Sequence, residues 1–97
     1  GAKPRHSEEV YAFPNPVRPG YEGTISVRGL GRDANVKITD INGKLVYETT
    51  ALGGQANWDG KDYTGRKAAP GVYLVFSASR VDFETVDSYV TKILIVN

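Results

Sequence analysis

Ninety-seven residues, 40% hydrophobic and 24% charged with a formal net charge of +1, make one ordinary globular domain with a lean core. Twelve Lys and Arg residues scattered among eleven carboxylates form no run of like charge, which argues against nucleic acid as a partner. With no cysteine there is no disulfide or thiol chemistry, and no apolar run reaches membrane-spanning length.

Residues 1–9 are polar, aperiodic and interrupted by Pro4. They are expected to form a linker arriving from an upstream domain, and the lack of an initiator methionine fits a piece of a longer chain. Residues 10–97 form the module proper. Residues 10–13 are a short apolar run that Pro14-Asn15-Pro16 stops, because two fixed φ angles cannot continue a ladder, so the chain must turn or cross between sheets. After a Pro- and Gly-containing loop, residues 24–28 alternate as a half-buried strand does.

Residues 36–39 and 45–50 are strands joined by Asp40-Ile41-Asn42-Gly43. Gly43 supplies positive φ, and the Asp40 carboxylate can accept a nearby backbone N–H. Two hairpin geometries compete. A turn closed by a glycine bulge sets Val36, Ile38 and Val46 on one face; a two-residue Asn-Gly turn aligns Val36 and Ile38 with Leu45 and Tyr47. Gly53-Gly54 breaks the chain before a strand at residues 55–58. A long loop, 59–70, then repeats the Asp-x-x-Gly-basic turn as Asp62-Tyr63-Thr64-Gly65-Arg66. Residues 71–79 are apolar almost throughout, as expected for a central strand covered on both sides. The last strand spans 88–96. Seven short strands with frequent turns and no helical periodicity predict an all-β, antiparallel, immunoglobulin-like β-sandwich.

The catalytic inventory is thin. His6, the only histidine, lies in the linker, and no serine has a base to activate it. One histidine and no cysteine exclude a zinc or copper site, and no cofactor loop is present. Asn57, Asp59 and Asp62 have oxygen ligands at a spacing loosely like a calcium loop, but without its bidentate glutamate; closing local turns is the simpler role. Trp58 either faces solvent as a sugar platform or fills a core that has only three phenylalanines and no methionine; the core is the expectation. Tyr21 and Tyr63, in loops with Lys61, Arg66 and Lys67 nearby, are the candidate glycan contacts. A strand at 92–96 is a handle for strand addition if it is an edge, and merely core if it is central.

Phe13-Pro14-Asn15-Pro16, then Val36-Lys37-Ile38-Thr39-Asp40-x-Asn42-Gly43-Lys44-Leu45-Val46, then Gly71-Val72-Tyr73-Leu74, then Lys92-Ile93-Leu94-Ile95-Val96, stand in one order. That order resembles the type A carboxyl-terminal sorting domain of the type IX, or Por, secretion system of Bacteroidetes. Residues 58–66 and 70–73 are also similar to the immunoglobulin-like domain of flagellar hook-capping proteins. Residues 10–19, with Gly53-Gly54-Gln55-Ala56 ahead of Trp58, resemble the tail of PorZ-like β-propeller surface proteins.

The resemblance implies a non-catalytic tail exported to the cell surface, associated with the outer membrane. Its implied partners are an upstream β-propeller, the secretion machinery or a sortase-like peptidase, and anionic lipopolysaccharide. The motif residues carried over are Pro14, Asn15, Pro16, Asp40, Gly43, Val46, Gly71, Tyr73, Lys92, Ile93 and Ile95. The long 59–70 loop and residues 81–87 depart from plain sorting tails, which sets cleavage of the tail in doubt. A structural β-sandwich spacing or capping a propeller, and a glycan-binding module, are the alternatives.

Overall fold

The computed structural model describes residues 10–96. The linker expected at residues 1–9, His6 included, lies outside them. Seven strands follow in chain order: β1 (Tyr11–Phe13), β2 (Ile25–Arg28), β3 (Asn35–Thr39), β4 (Leu45–Thr50), β5 (Gln55–Trp58), β6 (Gly71–Arg80) and β7 (Val86–Ile95). They form two sheets, ordered β1-β2-β5 and β4-β3-β6-β7, with every neighbouring pair antiparallel. The fold is the expected all-β sandwich of immunoglobulin type, with no helix among the described residues.

Period-two alternation builds the core. Ile25 and Val27 of β2 and Ala56 and Trp58 of β5 face Val36 and Ile38 of β3, Tyr73 and Val75 of β6, and Tyr89 and Ile93 of β7. Trp58 settles inward at 1% exposure. Its ring centroid lies 5.7 Å from that of Tyr73, and its Nε1–H donates to the Lys61 carbonyl at 2.9 Å. A buried indole stabilises by several kcal/mol, roughly the 3–5 kcal/mol that Trp→Ala costs in a core, and here the ring also anchors the start of the 59–70 loop.

The 40–44 turn takes the bulged form. Gly43 has φ +87°, its N–H donates to the Asp40 carbonyl at 3.0 Å, and Asp40 N–H donates to the Lys44 carbonyl at 3.0 Å. The register slips between Ile38 and Thr39, so that Ile38 faces Tyr47 and Thr39 faces Leu45. Val46, the residue passed over, is buried beside Val36 and Ile38 while Leu45 is exposed. Tyr47 packs half-buried against the same core.

β6 corrects one expectation. It is central in its sheet but covered on only one side: Tyr73, Val75, Ser77 and Ser79 point inward, whereas Phe76 is 40% exposed. Its apolar outer residues instead pair along the sheet surface with β7, Val72 opposite Leu94 and Phe76 opposite Val90.

The registers sort the loops to two ends. Residues 29–34, 51–54 and 81–85 share the end at which Val10 enters. Residues 18–24, 40–44 and 59–70 share the other, with Val96.

Candidate functional site

The two Asp-x-x-Gly-basic segments fold into the same turn twice at this second end. Asp62 N–H donates to the Arg66 carbonyl at 2.9 Å and Gly65 N–H to the Asp62 carbonyl at 3.0 Å, the bond pattern of 40–44. One carboxylate oxygen organises each turn. Asp40 Oδ1 accepts from the N–H of Asn42 (2.9 Å) and of Lys44 (3.0 Å); Asp62 Oδ1 accepts from the N–H of Thr64 (2.8 Å) and of Arg66 (3.1 Å), and from the Thr64 hydroxyl at 2.6 Å. The Thr64 hydroxyl, with those backbone donors and the Arg66 charge, holds the Asp62 carboxyl below its ordinary range. Asp59 Oδ1 accepts from Lys61 N–H at 3.0 Å. These carboxylates are turn caps, the simpler of the two roles weighed for them.

Side by side, the twin turns form a cleft of about 250 Å³ lined by Asp40, Lys44, Asp62, Arg66, Lys67 and Tyr73. Tyr73 is buried at its floor, and its hydroxyl donates to the Ala69 carbonyl. Burial first, and then the Asp40 and Asp62 charges, raise the Tyr73 phenol above its ordinary value, so it stays protonated. A larger, adjoining cleft of about 400 Å³ runs between the 18–24 loop, the 67–70 strand-return and the end of β7, lined among others by Arg18, Tyr21, Asp59, Lys67 and Val96. Lys67 stands on the ridge between the two. Both clefts are open to solvent and bring cations (Lys44, Arg66 and Lys67 in the smaller, Arg18 and Lys67 in the larger) beside the capped carboxylates Asp40, Asp62 and Asp59. They suit an extended anionic or hydroxylated ligand, and neither gathers an acid, a base and a nucleophile.

The structure brings some predicted residues together and separates others. Arg66 and Lys67 join the motif residues Asp40, Val46 and Tyr73 in the smaller cleft; Tyr21 joins Lys67 in the larger. Tyr63 is exposed at its turn and lines neither, and Lys61 is likewise outside both. Tyr21 already has local work: its hydroxyl donates to the Thr24 carbonyl at 2.8 Å, and its ring covers Gly23, where a Cβ would meet it at 2.5 Å. Lys44 and Arg18 were not among the sequence candidates. The repeat of the Asp-x-x-Gly-basic motif was the available signal for Lys44, since the residue after each glycine occupies the equivalent place.

Of the remaining motif residues, Pro14, Asn15, Pro16 and Lys92 meet at a seam on the free edge of β7. Pro14-Asn15-Pro16, with both X-Pro bonds cis, carries the chain from β1 in one sheet to the edge of the other. There the Asn15 side chain imitates a strand: Nδ2 donates to the Lys92 carbonyl at 2.8 Å, and Oδ1 accepts from Leu94 N–H at 3.0 Å. Val17 continues the contact, donating to the Leu94 carbonyl at 2.7 Å and accepting from Val96 N–H at 2.8 Å. The terminal strand is therefore an edge, but residues 92–96 are sealed from within the domain. Ile93 is fully buried, Ile95 half-buried, and Gly71 opposes Ile95 at φ +150°.

Residues 22–81 match the family described as the FlgD Ig-like domain. Among solved structures, the chain is similar to that of PorZ, described as an essential bacterial surface component of the type-IX secretion system of human oral-microbiomic Porphyromonas gingivalis. The TM-score is 0.80 and the identity 31%, over 93% of this chain and 12% of that one. This chain thus spans a small part of that protein's length. No curated protein sequence matches it.

Proposed function

This chain belongs to the family of FlgD Ig-like domains, and on that premise we propose that it is a non-catalytic module of a type IX-related surface protein, acting in sorting or surface attachment. The likeness to PorZ, 31% identical over 93% of the chain, carries the reading. The motif residues support it with a physical role. Asn15 and Lys92, at opposite ends of the motif, meet at 2.8 Å, so the segments that resemble a sorting signal close one seam and lock the last strand onto the frame. A tail locked in this way presents a rigid folded surface to the secretion machinery or a sortase-like partner.

The test fuses residues 10–97 to an exported reporter in a host that has the secretion system. Surface delivery of the reporter is the expected result. A folded fusion that stays in the periplasm rejects sorting. If deleting the module from its parent lowers the parent's melting temperature and leaves export intact, the module is a structural spacer.

A second reading rests on the cations that the clefts bring together: contact with an anionic saccharide such as anionic lipopolysaccharide. The convergence of Lys44, Arg66 and Lys67 favours it. Amide shifts at residues 40–44 and 62–67 on titration with that polysaccharide, abolished by K44Q/R66Q/K67Q, are expected; no shifts at those loops would dismiss it.

A further inference from the structure

The seam seals only part of the β7 edge. The Lys92 carbonyl, both backbone groups of Leu94 and the Val96 N–H point to the open side, where Asn15 and Val17 hold them. In a strand the direction of these groups alternates, so Val86, Ser88 and Val90 point to the same side. Among the described residues no strand hydrogen-bonds to these outward groups, since β7 has β6 on one side only and no neighbour on the other at these positions. An unblocked edge of this kind normally carries a lysine, a proline or a bulge. This one carries none between Val86 and Val90. Its one charge, Asp87, stands on the half-buried inner face, and apart from Ser88 the outer face is apolar and exposed: Val86 46%, Val90 48%, and at the adjoining turn Val81 57% and Phe83 92%.

We propose that this stretch is a homotypic interface, in which β7 of a second copy of the chain adds antiparallel across a two-fold axis at Ser88. The proposal is independent of the sorting reading. The sequence is self-complementary in that register. Val86 faces the second copy's Val90, Ser88 faces Ser88, and Val90 faces Val86, so each apolar side chain meets an apolar one. Just beyond the ladder, Lys92 of each copy comes near the other's 81–85 turn, which carries the exposed Glu84, of opposite charge. Sliding by two residues runs Val90 past the start of the partner's β7 into its turn, or sets Val86 against Lys92, and loses this match.

The ladder also has natural stops. Beyond Val90 the Lys92 carbonyl is already held by Asn15, and before Val86 the Glu84 N–H is held by Asp82 Oδ1 at 2.9 Å. The pairing would join two four-stranded sheets into one continuous sheet, with closed two-fold symmetry and no open edge left at β7. It would also bring the exposed outer stripe of Phe76 and Val90 together with its mate across the axis.

Sedimentation equilibrium of the 97-residue chain, from micromolar to millimolar concentration, tests this. A concentration-dependent dimer is expected. V90K, which alters two symmetry-related pairs, should raise the dimer dissociation constant about tenfold, and V86E should do the same. V86E/V90K places Lys opposite Glu across the axis and should return it to within about threefold of wild type; within one copy these residues are too far apart along the strand to interact. Far-UV circular dichroism checks that each variant folds, as half-exposed positions permit. Independently of any variant, the amides of Val86, Ser88 and Val90 should gain exchange protection as concentration rises. A monomer at all concentrations, a dimer that V90K leaves unchanged, or a folded double variant that is not rescued would overturn the proposal. The last two outcomes would give the edge to a different partner strand or the interface to a different face.

Discussion

Asn15→Ala isolates the seam. The substitution deletes two hydrogen bonds, to the Lys92 carbonyl at 2.8 Å and from Leu94 N–H at 3.0 Å, without touching the core. Asn15 is exposed, so water can replace both partners, and each bond is worth the lower part of the usual net range, about 0.5–1 kcal/mol. The expected loss is about 1–2 kcal/mol, which for a domain of this size lowers Tm by about 5–15 °C. The sharper assay is amide exchange. Leu94 should lose protection, while Val96, whose N–H goes to the Val17 carbonyl, should keep most of its own. Asn15→Asp should lose at least as much stability as Ala. It keeps an acceptor for Leu94 N–H but turns a carboxylate oxygen toward the Lys92 carbonyl, where a donor stood. An unchanged Leu94 exchange rate in Asn15→Ala would refute the strand-mimic account, whatever happened to Tm.

Ser77→Ala has the opposite sign. The Ser77 hydroxyl is buried with no hydrogen-bond partner among the described residues, so its removal should stabilise by about 1 kcal/mol, read as a higher urea midpoint. Trp58→Ala removes the largest buried side chain and should cost about 3–5 kcal/mol, with Trp58→Phe costing less but leaving the Lys61 carbonyl without its donor; chemical denaturation followed by circular dichroism measures both. Gly43→Ala should cost about 1 kcal/mol from φ +87° alone, since a Cβ there meets nothing within 4 Å. Gly54→Ala should cost more, because φ +79° is joined by the Leu30 carbonyl at 3.3 Å. Asp62 and Asp82 both titrate below 3.8 in the fold, so their contribution is present at neutral pH and is lost as pH falls through 3.8 and below; acid unfolding of Asp62→Asn should be correspondingly less steep. Tyr73 is shifted the other way, so its contribution is complete below pH 10.0 and lost as pH rises above it, a dependence that Tyr73→Phe should remove.

The fold was legible because strands, turns and core were specified by local chemistry that agreed at each step. β4 and β5 begin and end at the expected residues, and the Asp40–Gly43 and Asp62–Gly65 turns each needed only a carboxylate and a residue free to take positive φ. Register was the ambiguous link. Both hairpin geometries satisfied part of the 36–49 pattern, and the bulge resolves them by burying Val46 while leaving Tyr47 opposite Ile38. The covered-on-both-sides reading of β6 failed for a related reason. An apolar run records that neighbouring side chains can shelter one another along a sheet as well as under a second layer, and Phe76–Val90 is the former case.

What composition and spacing could not supply was long-range pairing. Nothing local to Asn15 says that its amide will stand in for a strand against residues almost eighty positions away. The same holds for the clefts. Lys44 and Arg66 occupy equivalent places in twin turns, yet only the sandwich brings those turns together, and it leaves Tyr63, the more obvious candidate, at a tip that lines neither cleft. The edge of β7 unites both lessons. Its sealed half and its open half share the same alternation and much of the same apolar character; what separates them is a side chain delivered from the far end of the chain. A strand whose terminal residues looked like the free handle thus has its exposed hydrogen-bonding groups at Val86–Val90, upstream of the residues the motif emphasises.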